Sequence, residues 1–364
     1  MTGTTTTPVP PGRLGDPDRS LGTDPRADPR MMAVLGPLGL GDQAAGGAPG
    51  PDTPLEELRD FVTATEVGFE GLFTVLAEGA PRAQGVVSEE RTIDGPDGNA
   101  ITLYVVRPAD ADGPLPGLLQ IHGGGMVMLS GSGPVYRNWR EELAAAGTVV
   151  VGVEYRNGGG VHGPHPFPAG LNDCAAALRW VGENRAELGI TDIVVTGDSG
   201  GGNIALALAL KARREGWLDV IAGVYAQSPY IVGDWEGAVG ELASLTENDR
   251  YWLNRELFTP LAEVYDPGAA NRDEPTCWPY RATGADLAGL PPHVIVVNEL
   301  DPLRDEGLAY HRRLLAHGVR SVGKVNLGLC HVGEILFRAA MPDVYLDAVR
   351  AVTGFARGLQ DEAR

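Results

Sequence analysis

The sequence predicts an α/β chain built on a mostly parallel sheet of about eight strands with helices on both faces. Two observations carry the prediction. From residue 89 onward, continuous apolar runs of strand length alternate with segments of helical periodicity, the pattern of strands that are covered on both sides. At the centre, Asp192-Ile-Val-Val-Thr-Gly-Asp-Ser-Gly-Gly-Gly-Asn-Ile-Ala-Leu-Ala-Leu-Ala-Leu210 reads as a buried strand, a sharp turn and a helix, with Ser199 at the corner.

Taken in order, residues 1–52 are rich in Pro, Gly, Thr and Asp, and the opening dozen or so are expected to be disordered. Pro29-Arg-Met-Met-Ala-Val-Leu suits a short helix. From Thr53 to Glu78, Leu55, Leu58, Phe61, Val62, Val67, Phe69, Leu72, Phe73 and Leu76 follow helical spacing, with Pro54 at a first-turn position. These helices precede every strand and are free to lie over something else. We therefore divide the chain into 1–88, a disordered start with N-terminal cap helices, and 89–364, the sheet-based domain.

Strands are expected at Glu89 to Ile93, Ala100 to Arg107, Leu115 to Ile121, Thr148 to Tyr155, Val220 to Gln227, His293 to Leu300 and Val322 to Leu327, besides the one before Ser199. Gly-Pro-Asp-Gly and Ala-Asp-Gly-Pro turns join the first three. Helices are expected over Tyr136 to Ala146, Asp173 to Leu188, Asp305 to His317 and Pro342 to Leu359. Between residues 230 and 290 the alternation stops. Tyr230, Trp235, Tyr251, Trp252, Phe258, Tyr265, Trp278 and Tyr280 gather there, as a lid and pocket wall or as a satellite core.

Acidic residues outnumber basic ones, 48 to 29, for a net charge of −19, which argues against nucleic acid or an anionic membrane as partner. No apolar run reaches the roughly 20 residues of a membrane span. The first residues lack the charged start and apolar middle of a signal peptide, so a cytoplasmic protein is expected. Cys174, Cys277 and Cys330 form no CxxC pair, and neither a disulfide framework, a zinc site nor a cofactor is suggested.

Gly197, Ser199 and Gly201 satisfy GxSxG, in which the serine occupies a strained backbone region and its neighbours leave no room for a Cβ. The following helix aims its unpaired N–H groups at the corner, where negative charge would be stabilised. His122-Gly-Gly-Gly125 follows the strand Leu115 to Ile121. Its glycines let backbone N–H groups meet a carbonyl oxygen, and Gly124, Gly125 and Gly200 together would form an oxyanion hole, each donor worth roughly 3 kcal/mol of barrier. His122 is assigned to holding the loop.

A serine nucleophile needs a base, and the base an orienting carboxylate, in the chain order Ser, acid, His for this kind of turn. Of His293, His311, His317 and His331, the first opens a strand and the next two lie on a helix. His331 alone sits in a loop directly after the last strand. Asp301, at the C-terminal end of the preceding strand, is the matching acid. Asp305 lies one helical turn on, Glu299 alternates to the other face, and Asp198 is taken as structural.

These residues carry a resemblance. HGGG at 122–125, Tyr155-Arg156, His165-Pro-Phe-Pro168, Asp173 with Ala-Leu-Arg-Trp180, GDSGGGN at 197–203, DPLRDEG at 301–307 and the closing His331 together resemble the hormone-sensitive-lipase family of α/β-hydrolases, the bacterial family IV esterases. The resemblance implies an α/β-hydrolase fold with an N-terminal cap, a triad of Ser199, Asp301 and His331, and serine carboxylesterase activity through an acyl-enzyme. It extends to Gly12-Arg-Leu-Gly-Asp-Pro and Thr23-Asp-Pro-Arg, shared with a member that acts on a bulky cyclic ester.

Small-to-medium or bulky and cyclic esters are thus the expected substrates. An amide- or lactone-cleaving relative is the alternative within enzymes. A pure ligand receptor is the alternative outside them, and the retained His331 argues against it. The departures are Gly200 where Ala is usual, the loop Tyr155-Arg-Asn-Gly-Gly-Gly-Val-His-Gly-Pro, and His331-Val-Gly in place of His-Gly-Phe. They bear on substrate preference. Monomer and homodimer both fit, the latter by pairing of an edge strand near Val322 to Leu327.

Overall fold

The computed structural model describes residues 9–44 and 46–362. The strands are β1 (Val86–Asp94), β2 (Ala100–Pro108), β3 (Leu115–Ile121), β4 (Val149–Glu154), β5 (Ile190–Asp198), β6 (Gly223–Gln227), β7 (His293–Asn298) and β8 (Ser321–Asn326). Among the described residues they form one eight-stranded sheet in the order β1-β2-β4-β3-β5-β6-β7-β8. β1 pairs antiparallel with β2 and β2 with β4; from β4 to β8 every pairing is parallel. The central strands are apolar because helices cover both faces, and every residue of β7 is buried.

The longer helices are α1 (Pro29–Leu35), α2 (Leu55–Ala77), α3 (Pro134–Ala145), α4 (Ala169–Glu183), α5 (Gly200–Glu215), α6 (Phe258–Tyr265), α7 (Arg304–Ala316) and α8 (Pro342–Glu362). On one face of the sheet α3 meets α8, with the Trp139 ring edge-on to Tyr345 at 5.1 Å, and Tyr225 of β6 reaches Phe355 of α8 at 6.0 Å. On the other face Gly307 brings α7 onto β7 so closely that a Cβ there would lie 2.6 Å from Val297 Cγ1. Period-two alternation thus gives β7 one apolar row for each helical layer.

Some boundaries depart from the sequence expectation. The helix expected over Asp173 to Leu188 begins earlier, at Ala169, and breaks at Asn184 before a short Arg185–Leu188 turn. Val220 falls in a tight turn, and β6 starts at Gly223, because its partner residues on β5 are only Val194 to Asp198. Pro54 stands one residue before α2, at its cap.

The disorder expected of the opening falls outside the described residues for positions 1–8, but Gly12–Gly15 forms a helical turn. Gly12, at φ +55°, sits where a Cβ would come within 2.4 Å of Glu247 O, so the chain presses directly on the 229–290 segment. Leu21, Met31 and Leu35 are fully buried behind it. Burying each is worth about 1.5–3 kcal/mol, which outweighs the local Pro/Gly composition.

α2 packs against α6 and α3. Its Glu66 carboxylate is buried and accepts the N–H groups of Leu129 (2.7 Å) and Val161 (2.8 Å), tying the helix to the two loops beneath. The 229–290 aromatics divide. Trp235, Tyr251, Tyr265 and Trp278 are core, with Trp235 stacked on Tyr230 at 4.0 Å, while Tyr230, Trp252 and Phe258 reach a cavity at the C-terminal edge of the sheet. Among the described residues no helix is long and apolar enough to cross a membrane.

Candidate active site

β5 ends at Asp198 and α5 begins at Gly200, leaving Ser199 alone at the corner with φ +53° and ψ −118°. Such strain costs on the order of 1–3 kcal/mol and persists because the surroundings over-determine it. Ser199 N–H donates to Gln227 O (2.9 Å), and its carbonyl accepts from Asn203 N–H (3.0 Å) and Tyr230 N–H (3.2 Å). A Cβ on Gly197 would lie 2.3 Å from Gly201 O, and one on Gly201 would lie 2.2 Å from Ile121 O. Only glycine fits either place.

β3 delivers the His122–Gly125 loop beside this corner. Gly124 (φ +102°) and Gly125 (φ +60°) are left-handed, and a Cβ on Gly124 would meet Met128 O at 2.1 Å. The space where a Cβ of Gly200 would stand is 2.7 Å from Gly125 N and 2.6 Å from Met126 N. The loop backbone therefore abuts the first residue of α5. Among the described residues the N–H groups of Gly124, Gly125 and Gly200 have no acceptor within the chain.

His122 Nδ1 donates to Gly123 O (2.8 Å), and its ring stacks on Tyr155 at 4.2 Å, whose hydroxyl donates to His122 O (3.0 Å). Burial pushes its pKa down to about 4, so it stays neutral. Two residues not singled out for the site complete the loop's support. Gly123 N–H donates to Tyr136 Oη (3.1 Å), and Tyr136 O–H donates to Asp198 Oδ2 (3.3 Å). This links the glycine loop to the residue before Ser199. Nothing in the local pattern around Tyr136 announces the contact, which exists only once α3 lies on β2 and β4 with its first turn at the end of β5.

His331 lies in the turn after β8, held by Asn298 Nδ2, which donates to Cys330 O (2.7 Å) and Glu334 Oε2 (2.7 Å). His331 Nδ1 is 2.8 Å from Asp301 Oδ2, both groups buried, and Asp301 Oδ1 accepts Leu303 N–H (2.9 Å). Asn248, from the 229–290 segment, donates to the Asp301 carbonyl (3.1 Å). With Nδ1 taken, Nε2 is the nitrogen left for Ser199. Burial works to lower the His331 pKa, but the charge and hydrogen bond of Asp301, with Asp198 and Glu334 behind it, outweigh burial and raise it above 6.5. Asp198 itself is pushed by burial to about 7.

The rivals are spent elsewhere. Asp305 accepts Ser244 N–H, Glu299 accepts Gly328 N–H, His293 Nδ1 donates to Pro291 O, and His311 pairs with Ser321 Oγ. His317 closes the end of α7. Ser199, His331, Gly124 and Gly125 line one cavity of about 560 Å³, its mouth included, otherwise walled mainly by Phe69, Phe73, Trp252, Leu257, Phe258 and Leu261.

Residues 118–334 match a family described as alpha/beta hydrolase fold. Among characterised relatives, carboxylesterase NlhH of Mycobacterium tuberculosis is 37% identical over 278 residues, covering 74% of this chain and 82% of the relative. Esterase LipI of the same species is 32% identical over 292 residues, covering 76% and 86%. Brefeldin A esterase, a bacterial homologue of human hormone-sensitive lipase, superposes with a TM-score of 0.94 at 45% identity, covering 97% of this chain and 99% of that one. Esterase Est22 gives a TM-score of 0.82 at 36% identity, covering 93% and 100%.

Proposed function

The chain belongs to this alpha/beta hydrolase family and is a serine carboxylesterase, and on that premise we propose that Ser199 is its nucleophile, His331 its general base, Asp301 the carboxylate orienting that base, and the N–H groups of Gly124, Gly125 and Gly200 its oxyanion hole. The 2.8 Å contact between His331 Nδ1 and Asp301 Oδ2, in a cavity that His331 shares with Ser199, carries the assignment.

Ser199 Oγ attacks the ester carbonyl while His331 Nε2 takes its proton. Asp301 holds the tautomer that leaves Nε2 unprotonated and then stabilises the imidazolium. The carbonyl oxygen, now anionic, meets the three N–H groups, each worth roughly 3 kcal/mol. His331 returns the proton to the leaving alcohol. Water, deprotonated by the same nitrogen, then attacks the acyl-enzyme and releases the acid and free Ser199.

The apolar walls suit small-to-medium esters, including bulky or cyclic ones, with α2 and the 229–290 segment as the cap over them. The free, buried Cys174, Cys277 and Cys330 support a reducing, cytoplasmic setting. The outer edge of β8, with Val322 and Val325 exposed, supports a homodimer as the alternative to a monomer. The test is hydrolysis of p-nitrophenyl esters from acetate to laurate by the wild type and Ser199→Ala. The expected result is a loss of at least about 10⁴-fold in kcat for the variant. Hydrolysis surviving in folded Ser199→Ala would remove the assignment.

A further inference from the structure

Beside the active-site cavity lies a second one, a cleft open to solvent and of about 650 Å³ with its mouth included, which no step of the mechanism uses. The two share Phe73, Leu129 and Tyr136, so these three side chains are the partition between them. The far cavity is more polar, with Glu70, Thr74, Ser130 and Ser132 around it.

The three panels are held differently. Tyr136 is fixed by Gly123 N–H on one side and Asp198 on the other. Leu129, in a left-handed conformation at φ +73°, has its N–H on Glu66 and its carbonyl on Asn157 Nδ2 (2.7 Å). Phe73 has only packing. Its ring sits edge-on to Tyr136 at 6.2 Å and to Phe69 at 6.1 Å, the latter on the same helix and also in the cavity wall.

We propose that Phe73 sets the chain-length limit of this esterase, as the removable panel of a wall behind which the second cavity receives the distal end of an extended ester. With the ring in place a chain growing from the reacting carbonyl ends against it. With the ring removed, the added methylenes pass between Leu129 and Tyr136 into the half-open cleft, a gain of up to roughly fourfold in kcat/KM for each one buried. The inference rests on Ser199 being the nucleophile of the first cavity.

The experiment compares kcat/KM across two ester series, one varying the acyl chain from acetate to decanoate, the other varying the alcohol of acetate esters from ethyl to decyl. Wild type, Phe73→Ala, the milder Phe73→Leu and the double variant Phe73→Ala/Thr74→Trp are each measured beside Ser199→Ala. In one series the long-to-short ratio should rise at least about tenfold in Phe73→Ala, less in Phe73→Leu, and fall back when the Thr74→Trp ring fills the far cavity. The responding series identifies the arm of the ester that faces the wall. Unchanged ratios in both series for folded Phe73 variants, or a gain that survives Thr74→Trp, would overturn the role of Phe73. Turnover persisting in Ser199→Ala would instead overturn the site assignment beneath it.

Discussion

Gly200→Ala tests the oxyanion loop through a single methyl group. The added Cβ would stand 2.7 Å from Gly125 N, 2.6 Å from Met126 N and 2.9 Å from Gly125 Cα, all backbone atoms that cannot swing aside. Ordinary contact requires the loop or the start of α5 to retreat by about 0.7 Å. The N–H groups of Gly125 and Gly200 then no longer converge on one oxygen. Losing one such donor outright costs about 10²–10³ in kcat, so a partial displacement should cost about 10–100-fold, or roughly 1.4–2.7 kcal/mol. KM should stay within about threefold, because the apolar walls are untouched and the oxyanion exists only past the ground state. Alanine in the first turn of α5 gains up to about 1 kcal/mol of helix propensity against the strain, so Tm should move by only a few degrees. Steady-state kinetics on a short p-nitrophenyl ester, with a thermal melt of the same sample, reads all three. A folded variant with kcat within twofold of wild type would show that the loop takes up the methyl without displacing its donors. Gly201→Ala is the folding control: its Cβ would lie 2.2 Å from Ile121 O, and it should fail to give soluble protein.

Three other predictions concern His331, Asp198 and Glu66. His331 acts as a base only when neutral, so the acid limb of kcat/KM should lie above pH 6.5, where Asp301, Asp198 and Glu334 have raised its pKa against burial. Asp198→Asn removes one of those charges while keeping an acceptor for Tyr136, and should move the limb to lower pH; a limb that stays, or moves up, would contradict the coupling of the Asp198–His331 pair. Glu66→Ala strands the buried N–H of Leu129 and frees the part-buried N–H of Val161, and should cost about 1–3 kcal/mol in urea unfolding at unchanged m, with Glu66→Gln losing less. A change below about 0.5 kcal/mol would show that α2 is held by apolar packing alone.

The parts of the site that local geometry demands were legible in the chain. Gly197 and Gly201 are glycines because a Cβ meets backbone within 2.3 Å, and such a need writes itself as GxSxG at fixed spacing. His331 and Asp301 stood out because each follows a strand in a parallel sheet, where loops gather at one edge. That the sheet is mostly parallel and covered on both faces was readable for a related reason, since β7 has no polar face to show. What was not legible depends on contacts between distant segments. Tyr136 and Asp198 meet across 62 residues and Glu66 and Leu129 across 63, and neither pair leaves a periodic mark. The start of the chain shows the same limit: disorder was expected only of its opening dozen or so residues, and the long-range ties of the stretch that follows, Asp28 N–H to Gly328 O and Ala44 N–H to Arg250 O, leave no mark in its composition.

The central claim is that Ser199 is the atom that carries the acyl group. The most direct measurement is stoichiometric titration with a p-nitrophenyl alkylphosphonate, whose tetrahedral adduct stands in for the oxyanion intermediate, followed by intact mass and peptide mapping. One adduct per chain on the peptide holding Ser199, formed in step with loss of esterase activity and slowed by at least about 10³-fold in His331→Ala, is the predicted result. An adduct on another residue, or full inactivation with Ser199 unmodified, would contradict it.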